Sequence, residues 1–535
     1  MRRAAATLAL LLALAAPAHA GRSSYGDYVK AARAVEEWRY EEARTLVETL
    51  AKQSPDDPET RFMIAQMAYL DGDYARAHKV LAKLDAPSVR PLVRELAPLV
   101  ESTEDATSGM ASKTSKAGHF QIFYHPGKDE VLVDLAGDVL EAAYATITVD
   151  LGYQPPGKVR VEILSRVTDL AKVSTLTERA IETSGTIALC KYNKLMIVSP
   201  RATLTGYSWM DTLAHEYTHY VITRATHDHV PIWLHEGLAK FEESRWRAEP
   251  GATGMGRINE HLLSVALKKG RLITFEEMHP SMALLPSQEA AATAFAEVYT
   301  FVAFLHARVG YAGIRGVLER IRDGRTERRA IAEVLDVTWE EAQITWKKYL
   351  RGLPLRLSPQ LAARGGAKKI RLKKSEGDDE NVGVDAIGEE KARKHARLGG
   401  LLRARGRLAA AASEYEKALQ VTGPNDTFLA AKLGRTYLEL GSPEKAIAVI
   451  EAIPDRDDED AGPETTLGAA YLETKDYAKA ELHLSAALRV QPFDPAVRCG
   501  LAEVYTASGR EAEAEREKDA CRVARSGPSD HGRGK

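Results

Sequence analysis

Four side chains set the chemical question. His215, Glu216 and His219 stand in the run His215-Glu216-Tyr217-Thr218-His219, and Glu236 follows His219 by 17 residues. Two imidazoles four residues apart project from one face of a helix, so both can reach a single tetrahedral divalent ion at about 2.1 Å. The glutamate beside the first histidine is then placed to hold a water at that ion rather than to ligate it. Such a site hydrolyses: the ion polarises a carbonyl and acidifies water, and the glutamate carries the proton to the leaving group. A His-Glu-x-x-His run alone arises by chance in on the order of a few per cent of chains this long, so a third ligand decides the matter. A glycine three residues and a histidine six residues beyond His219 would supply one; Ile222 and Ala225 stand there instead. The next helix, opened by Pro231, offers Glu236, and small Gly237 and Ala239 are expected to let it approach the histidine helix closely. Two histidines, one glutamate and an open fourth position make a catalytic rather than a structural ligand set.

Together, His215-Glu216-x-x-His219 and Pro231-x-Trp233-Leu234-x-Glu236-Gly237-x-Ala239 resemble the gluzincin metallopeptidases, and among them a bacterial peptidase MA-like branch. The resemblance covers about His119 to Leu350. It implies a thermolysin-like domain, zinc bound by His215, His219 and Glu236, and Glu216 as general base in peptide-bond hydrolysis. It also implies a strand edge where substrate backbone pairs, for which Thr186–Cys190 is the candidate. The family's Tyr-bearing helix is resembled by FAEVYTFVAFLHARVG, which makes Tyr299 the candidate donor to the oxyanion. One position departs. Many relatives carry an acid four residues beyond the third ligand, set against a zinc histidine; Lys240 stands here, and neither Glu242 nor Glu243 is one turn from Glu236. Loss of such a partner weakens metal affinity or activity about 10- to 100-fold. The alternative to an active peptidase is therefore a catalytically weak or inactive peptidase fold serving as a scaffold in an envelope complex. His227, His229 and His235 are expected to be solvated near the site, with His235 the one able to line the cleft, and Cys190 is expected to be a buried strand residue.

The elements that must position these groups follow from periodicity. Phe120, Ile122 and Tyr124 alternate, as do Val159, Val161 and Ile163, which predicts strands separated by a helix over Asp129–Leu151. TIALC and KLMIVSP predict a hairpin around KYN, and helices fill the chain from Pro200 to about Gly352. Ser208 and Asp211 have capping-box spacing at the start of the histidine helix. The domain, residues 119–352, reads as α+β.

Repeats flank it. Ala446, Ala480 and Ala514 recur at 34 residues within helix–turn–helix units, and about four such units run from 396 to 524. Tyr40 and Tyr74 share the same period in residues 21–101. Both regions look like tetratricopeptide (TPR) repeats, which implies protein partners. Polar residues 102–118 and charged residues 353–395 read as linkers, and 525–535 as a disordered tail.

Residues 1–20 combine Arg2 and Arg3, an apolar run and Ala18-His19-Ala20, the pattern of a cleaved signal peptide. The chain is thus expected to be exported, periplasmic or secreted. No later run reaches the roughly 18 apolar residues of a membrane span. The chain has 535 residues and a formal net charge of -2, which argues against a nucleic-acid partner. Of three cysteines, Cys499 and Cys521 lie ten residues before and twelve after Gly509. A hairpin turning there would place them at matching heights, able to bridge, although two buried thiols are the slightly favoured expectation.

Overall fold

The alternating apolar residues around Phe120 and Val159 build the middle of a five-stranded sheet. The structure is a computed structural model and describes residues 25–526, except 204, 249–253, 280, 283–284, 358–383, 385–386, 424–425, 454–455 and 457–458. The signal-peptide pattern, most of the 353–395 segment and nearly all of 525–535 fall outside the described residues.

The chain opens with two helical hairpins, α1 (Tyr25–Glu36) with α2 (Tyr40–Gln53) and α3 (Pro58–Leu70) with α4 (Tyr74–Leu81), followed by α5 (Arg90–Thr107). The sheet domain then runs β1 (Ala111–Thr114), β2 (Phe120–Tyr124), α6 (Glu130–Leu151), β3 (Val159–Leu164), α7 (Val167–Lys172), α8 (Glu178–Ser184), β4 (Ala188–Lys191) and β5 (Lys194–Val198). Helices complete it: α9 (Trp209–Thr226), α10 (Ile232–Glu242), α11 (Arg257–Lys269), α12 (Gln288–Arg322), α13 (Glu327–Leu335) and α14 (Trp339–Gly352). Among the described residues four further hairpins close the chain: α15 (Glu390–Ala404) with α16 (Leu408–Thr422), α17 (Thr427–Glu439) with α18 (Pro443–Glu451), α19 (Ala461–Glu473) with α20 (Tyr477–Leu488), and α21 (Pro495–Ala507) with α22 (Glu511–Arg525).

The strand order is β1-β2-β3-β5-β4. The inner strands β2, β3 and β5 are parallel, with Ile122 opposite Val161 and Val161 opposite Leu195, and both edges pair antiparallel. Val159, Val161 and Ile163 bury one face in the core shared with α6 and α9; Leu164, Met196 and Val198 bury the other against α7 and α8. Tyr192 and Asn193 take positive φ, the two-residue turn that suits the twist of the β4–β5 hairpin.

Four expectations change. Residues 102–118 are not a linker: α5 runs to Thr107 and Ala111–Thr114 pairs with β2 as an edge strand whose Ser112, Lys113 and Thr114 are all exposed, so it needs no apolar pattern. Ser208 does begin α9, but its side chain caps nothing, and the Asp211 carboxylate instead accepts from Trp246 Nε1 (2.8 Å) and Arg247. Gly237 faces α12 rather than the histidine helix: a Cβ there would meet the Val298 carbonyl oxygen at 2.9 Å. Cys499 and Cys521 are bridged, because the hairpin turning at Gly509 brings their Cα atoms to 4.9 Å.

The repeat period corresponds to packing, since Ala446, Ala480 and Ala514 are all buried where paired helices cross. One described helix, Glu289–Arg322, is long and apolar enough to cross a membrane, but it is mostly buried and breaks at Gly310 (φ 59, ψ -171).

Candidate metal centre

Helix α9 carries His215 and His219 on one face, and the loop after it turns back at His227 and Asp228, both in the left-handed region, to start α10 behind Pro231. That short return sets Glu236 opposite the two imidazoles. His215 Nε2 and His219 Nε2 are 3.1 Å apart, and Glu236 Oε2 lies 3.5 Å from each. Ligand atoms around a tetrahedral zinc with bonds of about 2.05 Å stand about 3.3 Å apart, so the donor set fits that ion. Among the described residues these three form the one group of His, Cys, Asp or Glu side chains placed to share a metal.

The electrostatics favour a cation there. Burial works to lower the His215 pKa, yet the Glu236 and Glu243 carboxylates hold it at about 10. Burial likewise opposes charge on Glu236, and the two imidazoles outweigh it, keeping the carboxylate ionised. Glu216 is buried beside them without joining the ligand group. Burial raises its pKa, and the backbone of Cys190 beside it works in the opposite direction. Cys190 belongs to β4, the sheet's edge strand, so the strand expected to receive substrate runs beside the expected base. Cys190 itself is unbridged and partly buried, and burial drives its thiol pKa far up, which suits a strand residue and not a nucleophile.

Two contacts were not read from the sequence. Glu243 Oε2 lies 3.4 Å from His215 Nδ1, while its other oxygen pairs with Lys240. The acid missing at position 240 is thus supplied at 243, seven residues beyond Glu236 and on the same helical face two turns on. The signal was present in that spacing; Lys240 is the partner of the carboxylate, not its replacement. His235 is buried and not solvated: its Nδ1 is 2.6 Å from His219 Nδ1, and its Nε2 is 3.1 Å from Thr223 Oγ1. Burial, with His219 beside it, lowers the His235 pKa to about 3. His229 is exposed in the loop, as expected, and His227 half-buried.

Tyr299 lies on α12, which packs along α10. Its ring centroid is 5.9 Å from that of Phe241, and Lys240 and Glu243 are the charged groups acting on its hydroxyl, whose pKa burial raises to about 12. It therefore stands on the Glu243 side of His215.

Residues 141–352 match the profile of the Peptidase MA superfamily. The chain carries a Peptidase MA domain set between tetratricopeptide repeats. Repeat profiles match residues 28–88 and 465–530 in one form and 402–462 in another. The Peptidase MA domain gives the chain a metallopeptidase fold, and its flanking repeats are of the kind that binds protein. No curated protein matches the chain. Among solved structures, MamA is 24% identical over 25% of this chain and 72% of its own, with a TM-score of 0.23. Yeast LTA4 hydrolase in complex with bestatin is 10% identical over 78% of this chain and 66% of its own, with a TM-score of 0.31. The Cut9–Hcn1 hetero-tetramer of APC/C is 14% identical over 94% and 80%, with a TM-score of 0.26.

Proposed function

We propose that the protein is an exported, zinc-dependent peptidase whose repeats bind protein, either substrate or a docking partner. The observation that carries this reading is the convergence of His215 Nε2, His219 Nε2 and Glu236 Oε2 beside a buried carboxylate, Glu216, that is not among them. Zinc bound by these three would polarise a scissile carbonyl and acidify a water. Glu216, its proton affinity raised by burial, takes the proton from water and returns it to the leaving amine. The β4 edge, which passes Glu216 at Cys190, aligns the substrate backbone. Tyr299 is kept as the proposed donor to the oxyanion on the family resemblance alone, since its ring packs on Phe241 and the charged groups acting on its hydroxyl are Lys240 and Glu243. Glu243 supports activity because a carboxylate on a ligand histidine raises its basicity and fixes its ring. Export is supported by the pattern of residues 1–20 and by the Cys499–Cys521 bridge, a bond that persists outside the reducing cytosol.

The test is turnover of a broad peptide library by the wild type and by Glu216→Gln, with zinc content measured on both. Cleavage by the wild type and loss of at least about 1,000-fold in the variant, at equal zinc, is the expected result. Equal, negligible turnover with zinc retained would replace the enzyme with a metal-bound scaffold.

A further inference from the structure

We propose that His235 is a positioning residue for the metal centre, holding the ring of His219 through a chain that ends at Thr223. The inference rests on the metal reading above. If His219 ligates through Nε2, its Nδ1 must carry the proton. The atom 2.6 Å away, His235 Nδ1, must then be a lone pair. A neutral His235 has its own proton on Nε2, and the acceptor 3.1 Å from that nitrogen is Thr223 Oγ1. The proton positions of the whole chain follow from one ligand bond.

The geometry ties the chain to α9 at both ends. His219 and Thr223 are one turn apart on that helix, and His235, from α10, spans them. The two imidazole rings lie 4.7 Å apart at 40°. His235 and Thr223 are both buried, 7% and 5% exposed, so water does not compete for these bonds. His235 therefore does for His219 what Glu243 does for His215, but without charge. A carboxylate at both ligands would add a fourth acid to Glu216, Glu236 and Glu243; an imidazole orients the ring and adds none. Because His235 precedes Glu236 directly, the same short segment supplies one ligand and the support of another.

The experiment uses the full chain and reads zinc affinity by chelator competition, together with the visible absorption of the cobalt(II)-loaded protein. His235→Leu is expected to weaken zinc binding about 10- to 100-fold and to shift the cobalt bands. His235→Asn, whose amide can accept from His219 and donate to Thr223, is expected to recover most of both. Thr223→Val, which keeps the volume, is expected to weaken binding less, by under about 10-fold. A purely structural His235 would lower the melting temperature of the metal-free protein while leaving affinity and cobalt bands at wild-type values, and that overturns the proposal. If His235→Leu does not fold, Thr223→Val decides: unchanged affinity and bands overturn the chain. A wild type that binds no zinc overturns the metal reading and this inference together, whereas a wild type that binds zinc beside a His235→Leu that binds it equally overturns this inference alone.

Discussion

At the C-terminal end of α9, Arg224 enters the first repeat block, donating to the Trp38 carbonyl at 2.9 Å and to Glu41 at 2.6 Å. Nearby, Glu162 and Lys194 form a fully buried pair at 2.9 Å, joined by Tyr74 from the same block and by Arg160. At the N-terminal end of the same helix the second block meets it differently. The Tyr207 amide donates to the Val490 carbonyl at 3.3 Å, Trp209 Nε1 donates to the Leu488 carbonyl at 3.2 Å, and Gly206 lies against Val490 in the left-handed region. Apolar residues of the last three hairpins, such as Leu484, Val490 and Leu501, are continuous with the core of the peptidase domain. At α9 the first block is thus held by charged side chains and the second by shape and backbone bonds, while away from α9 the second block reaches α6 through Arg498, buried against Glu517 and donating to the Val131 carbonyl, and through Arg516 to Asp138. The difference teaches where each contact is vulnerable: a buried pair fails when one partner is removed, whereas a close-packed turn fails when an atom is added.

The largest effect is expected from breaking the charged contact unevenly. Glu162→Leu leaves Lys194 buried without its carboxylate and should cost roughly 3–5 kcal/mol in denaturant unfolding. Glu162→Leu combined with Lys194→Met should recover most of that loss, leaving only the partly exposed Arg160 without its carboxylate, and a double variant as unstable as the single would show that the buried lysine is not what makes the single variant unstable. Next comes Gly206→Ala. Its Cβ would sit 2.1 Å from the Val490 carbonyl oxygen at φ 68, so the loop must move, at a cost of about 2 kcal/mol. Faster amide exchange should then appear at the start of α9 and not at its end. Trp209→Phe removes the bond to Leu488 together with part of the packing of a fully buried ring and should cost about 1–2 kcal/mol by the same unfolding measurement. Mild acid should do least. Burial works to raise the Glu162 pKa, but Lys194 and Arg160 outweigh it and hold it below the ordinary carboxylate value of about 4.3. The stability it contributes is present above that value and lost as pH falls through the lower native one. Between pH 7 and 5 the first block should therefore keep its exchange protection, and protection lost already at pH 5 would contradict the charged contact.

Much of the ligand set was legible because helices repeat locally. His215 and His219 are one turn apart, Glu236 follows after one short return, and the 34-residue alanines report the crossings of the last three hairpins. What escaped was direction. Gly237 announces a close approach without saying to which neighbour, and α12, not α9, is the one that arrives. Asp211 has the spacing of a cap, but Trp246 and Arg247, distant in sequence, take its carboxylate. His235 looked like a loop-side histidine because nothing local shows that Thr223 and His219 will face it. Glu243 stands two turns beyond Glu236, outside the one-turn spacing at which such a partner is recognised in sequence. Residues 102–118 hid a helix end and an edge strand, since an edge strand exposed on both faces carries a polar composition.

The break at Gly310 has a bearing on topology mapping. A hydropathy plot of Glu289–Arg322 scores one passage through a bilayer and would assign everything after it to the opposite compartment. In the folded chain that run is bent in two and packed into the domain, and residues on both sides of it converge on α9 from its two ends. Reporters fused ahead of Tyr25 and behind Arg525 must therefore read the same side, and a protein giving opposite readings could not have both ends of that helix occupied at once.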